Sequence, residues 1–234
     1  MKNFKFYEWL GGLIDADGEF YISKSGYGSI EITMHIKEIQ TLYFIKSECQ
    51  GKVTLRKGVN VARWRLHKQE PLIETLTKLL GNIRIAKRQI QYQKICKIYD
   101  IDYKIPHLLT YDNAWFSGFF TGKGCISINK TNFMAVISVS QKEKDILENI
   151  QYIFKGNISF DISLKIWIWQ CNNFDCEYLL TYFEKNNILN PYKQAKIRGF
   201  KRFLFYKAQK YHLDPLKRKR LLHFIKKFNS IYSL

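Results

Sequence analysis

Apolar positions along the chain keep changing period. Residues 9–20, WLGGLIDADGEF, begin with helical spacing and end in two carboxylates, Asp15 and Asp17. EFYISKS and GSIEITMHI then alternate apolar and polar residues, the period of a strand with one buried face. KEIQTLYFIKSEC returns to helical spacing. GKVTLRK and VARWRLHK alternate again and read as a hairpin turning at Gly58. EPLIETLTKLLG predicts a helix with Pro71 in its first turn and Gly81 past its end, and RQIQYQKICKIYD predicts another.

The same order recurs. WFSGFFTGKGCI, residues 115–126, repeats the apolar frame of residues 9–20. CISINKT, FMAVISVS, QKEKDILENIQYIF, GNISFDIS, KIWIWQC, FDCEYLLTYFEKNN and KQAKIRGFKRFLFYKAQ follow in matching sequence. The pattern predicts an α+β protein of two tandem αββαββα repeats, residues 1–99 and 113–211. An aperiodic linker at 100–112 joins them, and a basic tail follows at 212–234. Each half has strands for one curved antiparallel sheet. Its outer face would carry alternate residues: Tyr21, Ser23, Arg63 and Arg65 in one half; Ser127, Asn129 and Lys165 or its neighbours in the other. Two similar halves in tandem imply a monomer that is its own pseudo-dimer.

Charge narrows the partner. The 234 residues carry 38 Lys and Arg against 20 Asp and Glu, a formal +18. Such an excess, interleaved with aromatics, predicts a polyanion, nucleic acid ahead of a membrane surface. No apolar run approaches the roughly 20 residues of a membrane span. The five cysteines lack CxxC spacing and the five histidines lack an i,i+4 pair, which argues against zinc or a disulfide framework. The N-terminus runs almost directly into the first motif. Lys, Ile, Asn, Tyr and Phe are heavily used, as AT-rich codons would give. Together these predict an organelle-encoded protein, mitochondrial before chloroplast.

LGGLIDADG, residues 10–18, resembles the signature of the LAGLIDADG homing endonuclease and intron maturase family. FSGFFTGKG, residues 116–124, resembles a degenerate second copy. The resemblance implies a saddle-shaped antiparallel sheet resting on nucleic acid, with helices on the opposite face. It also implies two motif helices packed through small residues: Gly11 and Gly12 from one, Ser117 and Gly118 from the other. In the family, the acid at Asp17 shares divalent metal with its counterpart, which activates water and stabilises the leaving oxygen. Asp15 is expected to brace a neighbouring helix end.

The second copy breaks this pattern. Lys123 stands at the position of Asp17, and Thr121 at that of Asp15. An ammonium repels Mg²⁺ but can donate to a carboxylate. The expectation is an ion pair between Asp17 and Lys123 in place of the shared metal, with a phosphate contact as the alternative for Lys123. Gln141 matches a family pocket position, and Ile36 stands at its counterpart in the first half. Lys87 and Arg88, and Lys193 or Lys196, match basic positions or serve as phosphate contacts.

Three functions remain: a non-catalytic binder of structured RNA, an active DNA endonuclease, and a DNA-binding protein that does not cut. The first is preferred, as a group I intron maturase or a part of a larger ribonucleoprotein such as an organellar ribosome. It needs the charge and fold but not the acids, and no cofactor is expected. Duplex DNA as ligand, and Mg²⁺ as cofactor, belong to the endonuclease reading, where cuts in both strands or one would be made at a long site.

Overall fold

A computed structural model describes residues 2–230. Met1 and the last four positions of the predicted basic tail, 231–234, lie outside the described residues. The predicted order is observed. In the first repeat α1 (Lys2–Asp17), β1 (Gly18–Ile22), β2 (Gly28–His35), α2 (Ile39–Cys49), β3 (Lys52–Leu55), β4 (Val61–Leu66), α3 (Gln69–Lys78) and α4 (Ala86–Ile98) follow one another. The second contains α5 (Trp115–Lys123), β5 (Gly124–Ile128), β6 (Ala135–Gln141), α6 (Asp145–Phe154), β7 (Asn157–Asp161), β8 (Ile166–Asn172), α7 (Glu177–Lys185) and α8 (Pro191–Ala208). A further helix, α9 (Pro215–Ser230), folds where the sequence predicts a basic tail.

The strands form two four-stranded antiparallel sheets, ordered β1-β2-β4-β3 and β5-β6-β8-β7. The two sheets are built alike because their turns obey the same chemistry. Gln50 and Gly51 leave α2 at φ 64° and 85°, and Lys155 and Gly156 leave α6 at 59° and 85°. A Cβ at Gly51 would lie 2.7 Å from the Trp64 indole nitrogen, and one at Gly156 would lie 3.0 Å from that of Trp169. Each indole instead donates to the carbonyl of the preceding residue, Gln50 at 2.8 Å and Lys155 at 2.7 Å. QG and KG thus set the same left-handed exit and seat a buried tryptophan in each sheet.

By packing, the chain divides into two compact units. The first holds residues 1–123 and 186–190, so α5 opens the second repeat in sequence yet packs beside α1. Its core gathers Leu10, Leu13 and Ile14 of α1 with Ile30, Ile32, Trp64, Leu72, Leu76 and Tyr92. The start of α5 is held by two acceptors: Asn113 Oδ1 takes the Trp115 N–H at 2.7 Å, and the buried Glu8 Oε2 takes that of Ala114 at 2.7 Å. Residues 101–110 have no regular secondary structure.

The second unit holds residues 124–185 and 191–234. Its edge strand β5 is closed by side chains. Lys196 Nζ of α8 donates to the Ile126 carbonyl at 3.1 Å. The Asn229 carboxamide of α9 donates to the Ile128 carbonyl at 2.8 Å and accepts its N–H at 3.3 Å. Groups that would otherwise template another strand are thereby satisfied.

Candidate active site and nucleic-acid interface

The motif helices meet at glycine. A Cβ at Gly12 would sit 1.9 Å from the Trp115 carbonyl oxygen, and one at Gly118 would sit 1.8 Å from that of Trp9. Neither position admits a side chain, and the backbones are in direct contact. Gly11 and Ser117, expected at the same interface, face elsewhere. A Cβ at Gly11 would meet Asn82 at 2.7 Å, and the Ser117 hydroxyl donates to the Asn187 carbonyl at 3.0 Å. Adjacent helical residues point about 100° apart, so only one of each pair can face the partner helix. The other meets the loop that follows its own repeat's hairpin and helix.

Each motif helix also carries a tryptophan that reaches across. Trp115 Nε1 donates to Asp15 Oδ2 at 2.8 Å, and Trp9 Nε1 donates to Thr121 Oγ1 at 3.3 Å. Both are fully enclosed. Asp15 further accepts the backbone N–H of Arg84 at 2.7 Å and of Ile85 at 3.2 Å, immediately before α4. It thus braces the start of the neighbouring helix, as the sequence suggests. Burial pushes its carboxyl up to about 7, against the opposing pull of the Arg84 N–H, the Trp115 indole and the Ile85 N–H. The Arg84 guanidinium lies over the Trp115 ring at 5.5 Å. Sequence reasoning passed over Trp9, Trp115 and Arg84. The signal was a tryptophan at the same place in both motif copies.

At the helix ends the two motifs are unequal. Lys123 Nζ donates to Asp17 Oδ1 at 2.8 Å. The alternative of an outward ammonium is therefore not what the side chain adopts. The second oxygen, Asp17 Oδ2, lies against Gly122, where a Cβ would approach it to 2.6 Å. Both side chains of the pair are about a third exposed or less in this geometry, Lys123 at 36% and Asp17 at 26%. A pair this open contributes on the order of 1 kcal/mol or less to stability. Its consequence is chemical: it takes a carboxylate oxygen.

A metal shared between two acids does not fit these residues. One carboxylate is present where two are needed, and its Oδ1 already accepts an ammonium. A divalent cation about 4 Å from that ammonium would be repelled by several kcal/mol even at an effective dielectric near 20. Among the described residues no group of three or more His, Cys, Asp or Glu is placed to hold a metal ion. Gln141 ends β6 opposite Trp167, and its Oε1 accepts the Lys142 N–H at 2.9 Å. Ile36 is partly exposed just beyond β2.

The outer faces of the two sheets differ in charge. On the first, Arg63 and Arg65 of β4 both engage Glu31 of β2, at 3.1 and 3.0 Å. Register aligns Glu31 with Arg65 and Lys52, and Thr33 with Arg63 and Thr54. The half-exposed guanidinium groups are held in fixed orientation over a buried carboxylate. On the second sheet the corresponding rows are Cys125, Ser138, Gln170 and Asn157, then Ser127, Val136 and Asn172. Asn129 and Lys165 are not on this face: both lie beyond strand ends, Lys165 in the turn at φ 54°.

The remaining basic positions separate by burial. Lys87 is exposed at the start of α4, and the half-buried Arg88 donates to Gln91 at 3.0 Å. Lys193 and Lys196 are both buried on α8, which corrects their expected placement as phosphate contacts. Lys196 is directed to the edge of β5 and lies over the Phe228 ring at 5.3 Å. Burial lowers its pKa.

Two αββαββα repeats, each opened by a motif helix packed through glycine on its counterpart, define a LAGLIDADG-type scaffold. The LAGLIDADG endonuclease family matches residues 10–99 and 116–204, and the chain belongs to that family. It is 38% identical over 191 residues to the intron-encoded RNA maturase bI4 of Saccharomyces cerevisiae, covering 79% of this chain and 30% of that protein. It is 29% identical over 193 residues to the intron-encoded DNA endonuclease ai2a of Dictyostelium discoideum, covering 82% of this chain and 60% of that protein. Among solved structures, the I-LtrWI LAGLIDADG homing endonuclease bound to target DNA superposes with a TM-score of 0.74 at 17% identity, covering 95% of this chain and 97% of that one. These likenesses establish the fold, and the chain spans less than two thirds of the maturase and endonuclease relatives. No described helix is long and apolar enough to cross a membrane.

Proposed function

We propose that this chain binds structured RNA on a LAGLIDADG scaffold and has lost double-strand cleavage. A group I intron maturase is the favoured role, with a component of a larger ribonucleoprotein as its variant. The observation that carries the reading is the Lys123 ammonium on Asp17 Oδ1 at 2.8 Å. The packing half of the motif is intact: Gly12 and Gly118 keep the helices in backbone contact. The half that would hold shared metal has become an ion pair. Selection for packing without selection for the paired acids is what a binding role requires. The RNA maturase relative supports the same direction, as does the excess of basic residues. Structured RNA is recognised by shape, phosphates and 2′-hydroxyls, which cations on a folded surface can meet. Mitochondrial encoding belongs to this reading, supported by intron-encoded relatives and by composition.

A second reading retains activity on one strand. It is favoured by Asp17, which keeps a carboxylate at the helix end, and by the DNA endonuclease relative. Mg²⁺ would be its cofactor. The purified chain is to be offered host-intron RNA, ribosomal RNA and duplex DNA, each with Mg²⁺, across a range of salt. The expected result is RNA-selective, salt-dependent binding with no cut in either DNA strand. Efficient double-strand cuts at one DNA site would overturn the proposal, and single-strand nicks would select the second reading.

A further inference from the structure

The cations of the second unit are not on its sheet. Every outward position of β5, β6, β7 and β8 is neutral apart from Asp161, whereas the first sheet carries Arg63, Arg65 and Lys52 beside Glu19 and Glu31. Among the helices and loops that carry the second unit's cations, α9 holds a dense group: Lys217, Arg218, Lys219, Arg220, Lys226 and Lys227. This helix begins at Pro215, contains no acidic residue, and buries Leu221, Ile225 and Phe228. Those three, at i, i+4 and i+7, fix one face against the rest of the unit. Gly199 of α8 makes room for Phe228, whose ring a Cβ there would approach to 2.7 Å. Asn229 anchors the far end to the backbone of Ile128. The orientation of α9 is therefore set by packing and hydrogen bonds at both middle and end.

With that face fixed, Lys219, Arg220, His223, Lys226 and Lys227 fall at i, i+1, i+4, i+7 and i+8 on the opposite side, and all five are exposed. No carboxylate among the described residues forms a salt bridge with them. Lys219, Arg220, Lys226 and Lys227 carry like charge with no acidic residue on the helix to offset it, so the stripe brings repulsion and no ion pair within the fold. Residues 215–230 also lie beyond the family match, which ends at residue 204. A cationic stripe has donors for phosphate, and without Asn or Gln in its row it lacks the paired donor and acceptor that read adenine.

We propose that the outward face of α9 is the phosphate-gripping surface of the second unit, and that its ligand is the backbone of folded RNA. The inference rests on the RNA-binding reading above and adds its location. The neutral sheet of this unit is left to make polar contacts, while α9 supplies counterion release. The stripe lies on a helix flanking the β5 edge, so a ligand gripped there engages a side of the unit as well as its sheet. A compact folded RNA presents phosphates on several sides, as a single straight duplex does not.

The test uses the full chain with Lys219, Arg220, Lys226 and Lys227 all changed to Gln. These side chains are exposed, and circular dichroism and thermal melting are expected to match the parent chain. Binding to host-intron RNA and to a duplex DNA of equal length is measured from low to moderate salt. The variant is expected to lose roughly 10- to 100-fold in RNA affinity near 0.15 M salt, and its log–log salt slope is expected to be shallower by about 3. DNA affinity is expected to change less. An RNA slope and affinity equal to those of the parent chain would overturn the inference, as would a loss confined to DNA. If the parent chain itself fails to bind RNA, the reading on which the inference rests has failed first, and the two failures are told apart by that control. A second variant, Arg63→Gln with Arg65→Gln on the first sheet, is expected to lower RNA affinity independently, so that the two sets of losses add in free energy.

Discussion

Trp115 and Asp15 are joined across the two motif helices by a buried hydrogen bond of 2.8 Å, whereas the matching bond from Trp9 to Thr121 is 3.3 Å and ends on a neutral hydroxyl. The asymmetry of the helix ends thus extends one turn into the interface. Bonds to a carboxylate are worth about 1.5–3 kcal/mol and neutral ones about 1. Above pH 7, where Asp15 is ionised, Trp115→Phe is therefore expected to cost more stability than Trp9→Phe, by about 1 kcal/mol, in urea denaturation of the two variants. Equal costs would show that the indoles act through packing alone.

Asp15 makes stability depend on pH in a direction opposite to most acids. Its folded pKa, about 7, lies above the ordinary carboxyl value because burial outweighs the N–H donors around it. Below the unfolded value near 4 both states hold the proton, and the full contribution to stability is present. Between about 4 and 7 the unfolded carboxyl has ionised while the folded one keeps its proton, so the contribution falls as pH rises and is gone once pH passes about 7. The stability advantage of the parent chain over Asp15→Asn is expected to shrink by a few kcal/mol between pH 5 and 8. Paired urea titrations measure it, and a gap that widens with pH would reverse the assignment.

The glycine contacts give a sharper contrast. Gly12→Ala and Gly118→Ala each put a methyl far inside van der Waals contact with a backbone oxygen, at 1.9 and 1.8 Å. Neither helix can relax without parting from the other. A cost of about 3 kcal/mol or more is expected, at the upper end for overpacked cores. Gly26 has φ 85° and nothing within 4 Å of an added Cβ, so Gly26→Ala is expected to cost only about 1–2 kcal/mol of backbone strain. Thermal melts of the three variants rank them.

What the sequence made legible follows from short-range periodicity. The two αββαββα orders and the turn at Gly58 are encoded within a few residues, whereas the close packing at Gly12 and Gly118 is legible only through the repeated motif, since each glycine meets backbone about 100 residues away. Gly11 and Ser117 meet Asn82 and Asn187 instead of the partner helix, and those asparagines lie about 70 residues further along, outside either motif copy. No local pattern announces such a neighbour. The basic residues of α9 masked its apolar spacing, since Leu221, Ile225 and Phe228 are separated by His and Lys in a segment that reads as charge. Lys196 was hidden for a related reason: a lysine stem buries as readily as an apolar side chain when a carbonyl awaits its tip, and only the fold reveals the Ile126 carbonyl.

Lys196 separates structure from binding. Its ammonium closes the edge of β5, and the residue is 7% exposed. Lys196→Met keeps the stem and removes the donor, leaving the Ile126 carbonyl without that partner. Stability is expected to fall by about 1–3 kcal/mol, the cost of a buried acceptor unmade. The salt slope for RNA is expected to stay as in the parent chain. A shallower slope with unchanged stability would return Lys196 to the phosphate contacts.

Lys123→Asp tests whether the lysine is what separates this pocket from a metal site. The substitution sets a second carboxylate at the end of α5, beside Asp17 at the end of α1. Two like charges there repel, so in EDTA the variant is expected to melt below the parent chain. A divalent ion can then bridge them, because the ammonium that occupied Asp17 Oδ1 is gone. Added Mg²⁺ or Ca²⁺ is expected to restore the lost melting temperature in the variant and to leave the parent chain unmoved. Isothermal titration is expected to show metal uptake by the variant alone. If the variant takes up no metal at millimolar concentration, the departure from a metal site lies deeper than one side chain. The motif helices would then have settled into a geometry that no longer holds two acids at bonding distance from one ion. If the parent chain takes up metal as the variant does, the ion pair is no barrier, and the second, strand-nicking reading gains the ground that the first loses.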